Sequence, residues 1–325
     1  MSSEPSELAV APERSPAGGR HRAVLRSSGV RALAGRLSWG LGDQAVSSLT
    51  NFAVGAFVAR SLGVSAFGVF SLGWVTYGVV LNVSRGLATD PLLVRFSGVA
   101  TEDWRDALGR STGTGLGVGV ILGAINVLVG LGIGGSLGSA FLGLGIVLPA
   151  LLVQDAWRFG FFAAGMGWKA FANDLVWAMT LVPAMFLADR HGTVFGFLLA
   201  WGVSAAVAAG YGCLQTGMVP SPRGAFSWLS QQRDLVVRFM VGNVVESGGA
   251  PLRMYGLGAI AGLADVGAVQ GALLLQGPFR AVLMGVSLMA VPEAVRVLRR
   301  TARRLPLFSL LLGGCQSIAA LLWGM

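Results

Sequence analysis

Apolar residues run in long blocks along most of the chain, and only short polar stretches interrupt them. Most blocks are close to the length at which an α-helix crosses a bilayer, and they lack the polar face of a helix on a soluble protein. The pattern predicts about nine membrane spans, at residues 39–60, 69–89, 111–133, 140–163, 174–190, 193–215, 239–261, 267–290 and 305–325.

Composition agrees with this prediction, because hydrophobic residues make up 54% of the chain and charged residues only 12%. A net charge of +9 in a soluble domain would suggest nucleic-acid binding. Here the charges stand between apolar blocks without any nucleic-acid motif, so we expect membrane lipid as a partner and no nucleic acid. The predicted fold class is all-α, a polytopic transmembrane helical bundle.

Lys and Arg concentrate in alternate connections between the predicted spans. The other connections, around residues 61–68, 134–139, 188–192 and 262–266, contain only Arg190. Cytoplasmic loops of membrane proteins carry the excess of basic residues. We therefore expect a multi-pass protein of the cell membrane with a cytoplasmic N-terminus.

Three stretches outside the spans have patterns of their own. Residues 1–36 are rich in Ser, Pro, Gly and Arg, which predicts a cytoplasmic, disordered basic tail that ends in a short interfacial helix. TEDWRDALGR, with Thr101 as candidate N-cap, and FSWLSQQRDLVVRF are predicted to form helices along the membrane surface. The two cysteines have no metal-ligand spacing, so no metal or cofactor is expected.

The chain also resembles itself at an interval of about 200 residues. WGLGDQAVSSLTNFAVG from residue 39 is similar to FMVGNVVESGGAPLRMYG from residue 239. In the same order, SLGVSAFG matches IAGLADVG, and DPLLVR matches VPEAVR. The matches predict two homologous halves, related as parallel repeats about an axis along the membrane normal.

Charged residues inside the first and fourth spans are candidate functional residues. A charge at mid-bilayer costs about 2.5–3.5 kcal/mol on insertion scales, and is usually paired or faces a cavity. Asp43, Ser47 and Asn51 fall on one stripe of the first span. Asp155 and Arg158 share a face of the fourth span, which permits an ion pair between them, and a purely structural pair is an equal alternative.

The seventh and eighth spans carry further candidates beside prolines. Glu246 precedes Pro251 and Arg253 follows it, so we expect this helix to kink or open there. Broken helices at membrane depth mark binding cavities in transporters, although a simple packing kink is an equal alternative. Arg280 follows Pro278 in the eighth span. Arg60 and Arg85, in contrast, are predicted to extend toward the membrane surface.

Two motifs resemble a known family. The first is ARSLGVSAFGVFSL, with Arg60, Leu62, Gly63, Phe67 and Gly68, and the second is QDAWRFGFFAAG followed by NDL at residues 173–175. With the repeat, they make residues 37–325 similar to the polysaccharide and lipid-linked oligosaccharide flippases of the multidrug/oligosaccharidyl-lipid/polysaccharide exporter superfamily. The resemblance implies a two-lobe transporter, not an enzyme, that moves a polyprenyl-diphosphate-linked glycan across the membrane by alternating access.

The resemblance divides the chain into lobes. Residues 37–215 are expected to form an N-terminal six-helix lobe, residues 216–238 a cytoplasmic amphipathic linker, and residues 239–325 an incomplete C-terminal lobe of about three helices. Three alternatives stay open: a multidrug/cation antiporter of the same superfamily, a truncated non-transporting membrane protein, and a glycan polymerase or ligase. The short outer loops argue against the last.

A diphosphate headgroup fits the arginines, because guanidinium groups bind phosphate oxygens in pairs and stay charged in a dry cavity. We expect Arg253, Arg280 and Arg158 to contact this headgroup. Asp43 and Glu246 would balance these charges or carry a coupling ion.

Overall fold

The computed structural model describes residues 39, 42–97, 100–277, 310, 313, 314 and 317, except for the side chains at 244, 246 and 247. Within this part every regular element is helical. The elements are α1 at residues 42–62, α2 Val64–Ser84, a π-helical turn Arg85–Thr89, α3 Asp90–Phe96, α4 Thr101–Ile133, α5 Gly135–Ala163, α6 Gly167–Asp189, α7 Val194–Thr216, a 3₁₀ turn Pro222–Gly224, α8 Ala225–Gln231, α9 Arg233–Ile260 and α10 Leu263–Leu275.

Within the described residues, five helical segments are long and apolar enough to cross a membrane: Val64–Phe96, which joins α2, the π-helical turn and α3, and the four helices α4 to α7. Large apolar side chains point outward from the bundle, as at Leu128 on α4 and Leu214 on α7, which are 68% and 81% exposed. Such residues would face water in a soluble protein and face lipid in a membrane. The prediction of an all-helical membrane protein is confirmed at this level.

The predicted spans agree with the helices over the described part of the chain. The spans at 69–89, 111–133, 140–163, 174–190 and 193–215 lie almost entirely within the five long segments. Those at 39–60 and 239–261 correspond to α1 and α9. The eighth span begins in α10, whereas most of its length and nearly all of the ninth lie outside the described residues. The count of nine and the two-lobe arrangement therefore stay predictions.

The helix connections alternate between two ends of the bundle. The basic end holds the end of α3, the start of α4 and the connections at residues 164–166 and 217–224. There Arg105 and Lys169 each donate to a carbonyl near the end of α7, at 2.9 Å. The glycine end holds the turns at Gly63, Gly134, residues 190–193 and Gly262. The basic residues of these segments thus lie at one end, and its cytoplasmic location stays a prediction.

Helices α4 and α5 pack backbone to backbone. A Cβ atom on Gly123 would come within 2.5 Å of the Gly145 carbonyl oxygen, and one on Gly145 would come equally close to the Gly123 oxygen. A second reciprocal pair, Gly130 and Gly138, lies nearer the glycine end. Small residues at such contacts are how membrane helices approach closely without a hydrophobic driving force. The two helices form a tight hairpin.

Helices α2 and α10 start in the same way and contact each other reciprocally. Each follows a glycine with positive φ: Gly63 at φ 73° and ψ 170°, and Gly262 at φ 101° and ψ 173°. Gly68 on α2 lies against the Leu263 carbonyl oxygen, and Gly267 on α10 lies against the Val64 carbonyl oxygen. Each helix thus makes with the other the same contact that the other makes with it. Two copies related by a two-fold axis contact each other in this way. This geometry favours the predicted repeat.

The prediction of a surface helix at residues 101–110 is wrong, whereas the surface position of residues 226–239 stays a prediction. TEDWRDALGR is the first part of α4, which starts at Thr101 after Ala100, and no side chain caps it. Its apolar side packs into the bundle, where Trp104 is buried and donates its indole N–H to the Gly160 carbonyl. FSWLSQQRDLVVRF divides between α8 and α9. An amphipathic pattern alone does not distinguish a lipid-facing apolar side from one that packs on protein.

Two further local expectations need correction. The turn predicted at residues 61–68 is a single residue, Gly63, because helical structure resumes at Val64. Helix α9 continues through Pro251, so the expected opening is wrong, whereas a kink at this proline stays a prediction. A proline removes one backbone hydrogen bond, and the helical turns on both sides keep the segment intact.

Candidate functional site

A polar cavity of about 110 Å³ lies inside the bundle. Helices α1, α2, α5, α6 and α7 and the π-helical turn supply its walls. It is lined by Ser47, Asn51, Trp74, Tyr77, Leu81, Arg85, Leu151, Gln154, Asp155, Arg158, Asp174, Trp177 and Trp201. This volume is below the roughly 300 Å³ typical of drug-sized ligands, so the cavity suits an ion or a few waters.

Arg158 joins three helices at one side of this cavity. Its Nε atom donates to Asp43 Oδ2 on α1 at 2.8 Å and lies 3.3 Å from Asp174 Oδ2 on α6. A second guanidinium nitrogen, Nη2, also bonds to Asp43. The side chains of both aspartates are almost completely buried, with exposures of 1% and 3%. Because charges inside a membrane protein are stable only when paired, this triad ties α1, α5 and α6 together.

Arg85 and Asp155 form a second pair in the same cavity. Arg85 donates through Nε to Asp155 Oδ2 at 3.0 Å and through Nη2 to Oδ1 at 2.6 Å. The two parallel bonds are the bidentate geometry in which Arg binds a carboxylate most strongly. The guanidinium also lies over the Phe159 ring, 4.6 Å from its centroid. This pair fixes the π-helical turn against α5.

The cluster does not balance its charges. Three carboxylates, of Asp43, Asp155 and Asp174, face two guanidiniums, which leaves one excess negative charge when all five groups are ionised. In addition, Asp43 Oδ1 is buried without a hydrogen-bond partner among the described residues. A buried unpaired carboxylate oxygen is costly. Among the described residues, one more positive charge would balance the cluster.

Amide side chains brace the acidic side of the cluster. Gln154 donates to Asp174 Oδ1 at 2.9 Å. Asn173, the neighbour of Asp174, is fully buried and donates to the Ala208 carbonyl on α7 at 2.8 Å. These bonds hold α6 against α5 and α7, so the position of the Asp174 carboxylate is set by both neighbouring helices.

A larger central cavity of about 580 Å³ lies beside the polar cavity, between α1, α2, α9 and α10. Its walls combine aromatic and aliphatic side chains with uncharged polar groups, and no charged residue lines it within the described part of the chain. They are formed by Ser48, Asn51, Phe52, Gly55, Phe67, Phe70, Ser71, Trp74, Val75, Ala250, Met254, Gln270, Leu273, Leu274 and Gly277. The central cavity therefore joins the first predicted half to the second.

Asn51 and Trp74 line both cavities and form the wall between them. Trp74 stacks on Trp201 of α7, with ring centroids 4.9 Å apart and planes inclined by 7°. Tyr77 meets the same Trp201 ring edge-on, at 4.6 Å. The Trp74 side chain thus borders both cavities, and Trp201 of α7 packs against it on the side of the polar cavity.

The structure brings together four of the seven predicted site residues. Asp43, Asn51, Asp155 and Arg158 meet at the polar cavity, and the predicted stripe on the first helix is confirmed. Arg253 is exposed on α9, and other residues line the two cavities. The Glu246 side chain and Arg280 lie outside the described part of the chain.

Two predictions about charged groups are wrong. The expected pair between Asp155 and Arg158 does not form, because each finds a partner on another helix. Arg85 was predicted to extend toward the surface, and this is wrong: the π-helical turn continues the helix to Phe96, so Arg85 lies inside the bundle.

Asp174 was not among the predicted site residues, although it stands in the NDL motif that carries the family resemblance. Its position at the start of the predicted span 174–190 could have marked it as a candidate, because charged residues within spans are usually paired or face a cavity. Its partner Arg158 lies on another helix, so no local spacing rule could join them.

No family model, curated protein or solved structure matches this sequence.

Proposed function

We propose that this chain is a membrane carrier, or the main part of one, for a lipid-linked glycan, with the polar cavity as its coupling-ion site. It would act in the cell membrane with the basic end in the cytoplasm. The proposal joins the family resemblance of the two sequence motifs to the chemistry of the two cavities.

The central cavity is the observation that carries the proposal. It lies between helices of the two predicted halves, where alternating-access carriers hold their substrates. Hydroxyl and amide groups of Asn51, Ser71 and Gln270 can exchange hydrogen bonds with sugar hydroxyls. The rings of Phe70 and Trp74 offer flat apolar surfaces for sugar faces. An uncharged lining of this kind suits the glycan part of the substrate.

The headgroup diphosphate would bind elsewhere, because both arginines of the polar cavity are already engaged with carboxylates. Arg253 stands next to Met254, a residue of the central cavity wall, and within the described residues it makes no ion pair. We propose that Arg253, together with Arg280, binds the diphosphate at the edge of the central cavity.

The excess carboxylate of the polar cavity supports the ion-coupling part of the proposal. A carrier needs an energy source to move substrate in one direction, and a cation that enters the Asp43–Arg158–Asp174 triad would change its net charge. Since Asn51 and Trp74 line both cavities, such a change acts directly on the substrate wall.

The same excess charge favours a second candidate, a multidrug/cation antiporter. A cationic amphiphile would be attracted to an acidic cavity behind an aromatic wall. The two candidates differ in the charge of the substrate, because the glycan carrier moves an anion.

Reconstitution of the full chain in vesicles separates these functions. A fluorescent polyprenyl-diphosphate oligosaccharide and a fluorescent lipophilic cation are offered to matched vesicles. Translocation of the glycan lipid, lowered by Gln270→Leu and unchanged by Leu214→Ala on the outward face of α7, supports the glycan carrier. Transport of the cation alone supports the antiporter, and no movement of either probe rejects both.

A further inference from the structure

Pro91 leaves a backbone oxygen without its helical partner. Proline lacks an N–H group, so in a regular helix the carbonyl four residues earlier, that of Leu87, loses its bond. The chain forms a π-helical turn at this place, and the Asp90 N–H donates to the Arg85 carbonyl five residues earlier. The proline and the turn are therefore one structural feature.

Donors from other segments satisfy the carbonyls of this turn. The Trp228 indole N–H of α8 donates to the Leu87 oxygen at 3.1 Å, and Trp228 is only 1% exposed. Ser111 of α4 donates to the Ala88 oxygen at 2.9 Å. A turn whose carbonyls find partners outside its own helix depends on those partners for its geometry.

Helix α9 contacts the chain on both sides of the turn. Asn243 Nδ2 donates to the Asn82 carbonyl at 3.1 Å and to Asp90 Oδ2 at 3.0 Å, so one side chain spans the turn. At Gly86, within the turn, a Cβ atom would lie 3.2 Å from the Met240 backbone nitrogen. Helices α8 and α9 thus contact the turn from the basic end.

The turn also carries a charged group of the polar cavity. Arg85 is its first residue, and the Arg85 guanidinium forms the bidentate pair with Asp155. A change in the turn rotates or shifts the Arg85 backbone, and the bidentate geometry tolerates little of either. The turn therefore connects the contacts of α8 and α9 at the basic end to the charges inside the bundle.

We propose that the π-helical turn Arg85–Thr89 is a joint that couples the position of α8 and α9 to the Arg85–Asp155 pair. Trp228 and Asn243 act as positioning residues for this joint. When α8 and α9 move away from the turn, the Trp228 and Asn243 hydrogen bonds are lost and the charge pair changes. The use of such a joint in transport rests on the proposed function, whereas its existence does not.

Hydrogen exchange of the full chain in lipid nanodiscs tests the joint. Trp228→Phe removes the indole donor and keeps an aromatic ring, so amides of residues 85–90 should exchange about fivefold faster, as loss of one hydrogen bond implies. Trp104→Phe is the matched control, because its indole donates to the Gly160 carbonyl at the same distance of 3.1 Å. It should leave exchange at residues 85–90 unchanged.

Thiol reactivity tests the coupling to the cavity. Ser47→Cys, in a background of Cys213→Ala and Cys315→Ala, places a thiol in the polar cavity wall. Its rate of reaction with a charged methanethiosulfonate reagent should change severalfold with Trp228→Phe or Asn243→Leu, and stay constant with Trp104→Phe. Asn243→Leu carries the test if Trp228→Phe does not fold.

Equal effects of the two tryptophan variants, or no effect of Trp228→Phe and Asn243→Leu in folded protein, would overturn the proposal. Neither measurement uses a substrate. A negative transport assay therefore does not contradict the proposed joint. Negative results in the exchange and thiol tests do not contradict the proposed carrier function.

Discussion

Gly68 on α2 and Gly267 on α10 occupy equivalent places in a reciprocal contact, each lying against the first turn of the other helix. Their Cβ positions would lie 1.8 Å and 2.1 Å from the carbonyl oxygens of Leu263 and Val64. The residues stand 199 positions apart, as do the turn glycines Gly63 and Gly262 before them. The residues that make the reciprocal contact are therefore separated by the interval of the predicted sequence repeat.

Gly68→Ala and Gly267→Ala should each destabilise the protein. The added methyl group meets a backbone carbonyl, which cannot move aside as a flexible side chain can, so we expect a loss of about 1–3 kcal/mol or more. Thermal unfolding of the purified protein in detergent measures it. Gly271→Ala, one turn further along α10 with open space at its Cβ position, is the control. An equal loss of stability at all three positions would show that the close contact between α2 and α10 is not the cause.

Arg158→Ala should be strongly destabilising. It leaves the buried carboxylates of Asp43 and Asp174 without their cation, for which a loss of about 3–5 kcal/mol is typical. The control is Asp106→Ala, which breaks the exposed pair with Arg110 on α4 and should cost at most about 1 kcal/mol. Similar unfolding temperatures for the two variants would contradict the assigned role of the triad.

Arg253→Ala and Arg280→Ala should abolish translocation of a lipid-linked sugar in vesicles while leaving expression intact. Arg253→Lys should retain part of the activity, because a lysine keeps the charge and loses the paired donors. Translocation at the normal rate in Arg253→Ala vesicles would remove this residue from the substrate site.

The orientation of the bundle can be tested by labelling. In a cysteine-free background, Arg223→Cys marks the basic end and His191→Cys marks the glycine end, and both positions are exposed. A membrane-impermeant thiol reagent added to intact cells should label His191→Cys alone, and both positions after permeabilisation. The reverse pattern would place the basic end outside.

The pair between Arg95 and Asp234 at the basic end should depend on pH. Partial desolvation raises the pKa of Asp234, but the Arg95 guanidinium, 2.6 Å away, and backbone N–H donors outweigh it and hold this pKa below its ordinary value. A carboxyl group whose pKa is lowered in the folded state stabilises the protein at pH values above its ordinary pKa of about 3.9. This stabilisation is lost as the pH falls through the lowered pKa.

The measurement compares unfolding temperatures of the wild type and Asp234→Asn between pH 6 and pH 3. The wild type should be more stable at pH 6, and the difference should shrink toward pH 3. A difference that grows on acidification would contradict the assigned sign.

Hydropathy predicted the long helices because crossing a bilayer requires an apolar block of fixed length, and that requirement is visible in the sequence. The same approach failed at residues 101–110 and at Arg85. In both cases the outcome depends on packing: Trp104 finds a carbonyl on α5, and Arg85 finds Asp155, 70 residues away. Such partners come from the assembled bundle and leave no local pattern.

For the candidate site, the stripe of Asp43, Ser47 and Asn51 could be predicted because the residues share one helix and its period. The pairing of Arg158 with two aspartates from other helices could not. Nor could the π-helical turn, whose geometry depends on donors from α8 and α9 as much as on Pro91.

The shared aromatic wall sets a condition on occupancy. An occupant of the central cavity bulky enough to push Trp74 off the Trp201 ring would narrow or distort the space behind it. Under the proposed function, glycan and ion would then compete although their binding chemistries do not overlap, and each would raise the apparent dissociation constant of the other. Because such coupling is reciprocal, each ligand would lower the affinity for the other by the same factor.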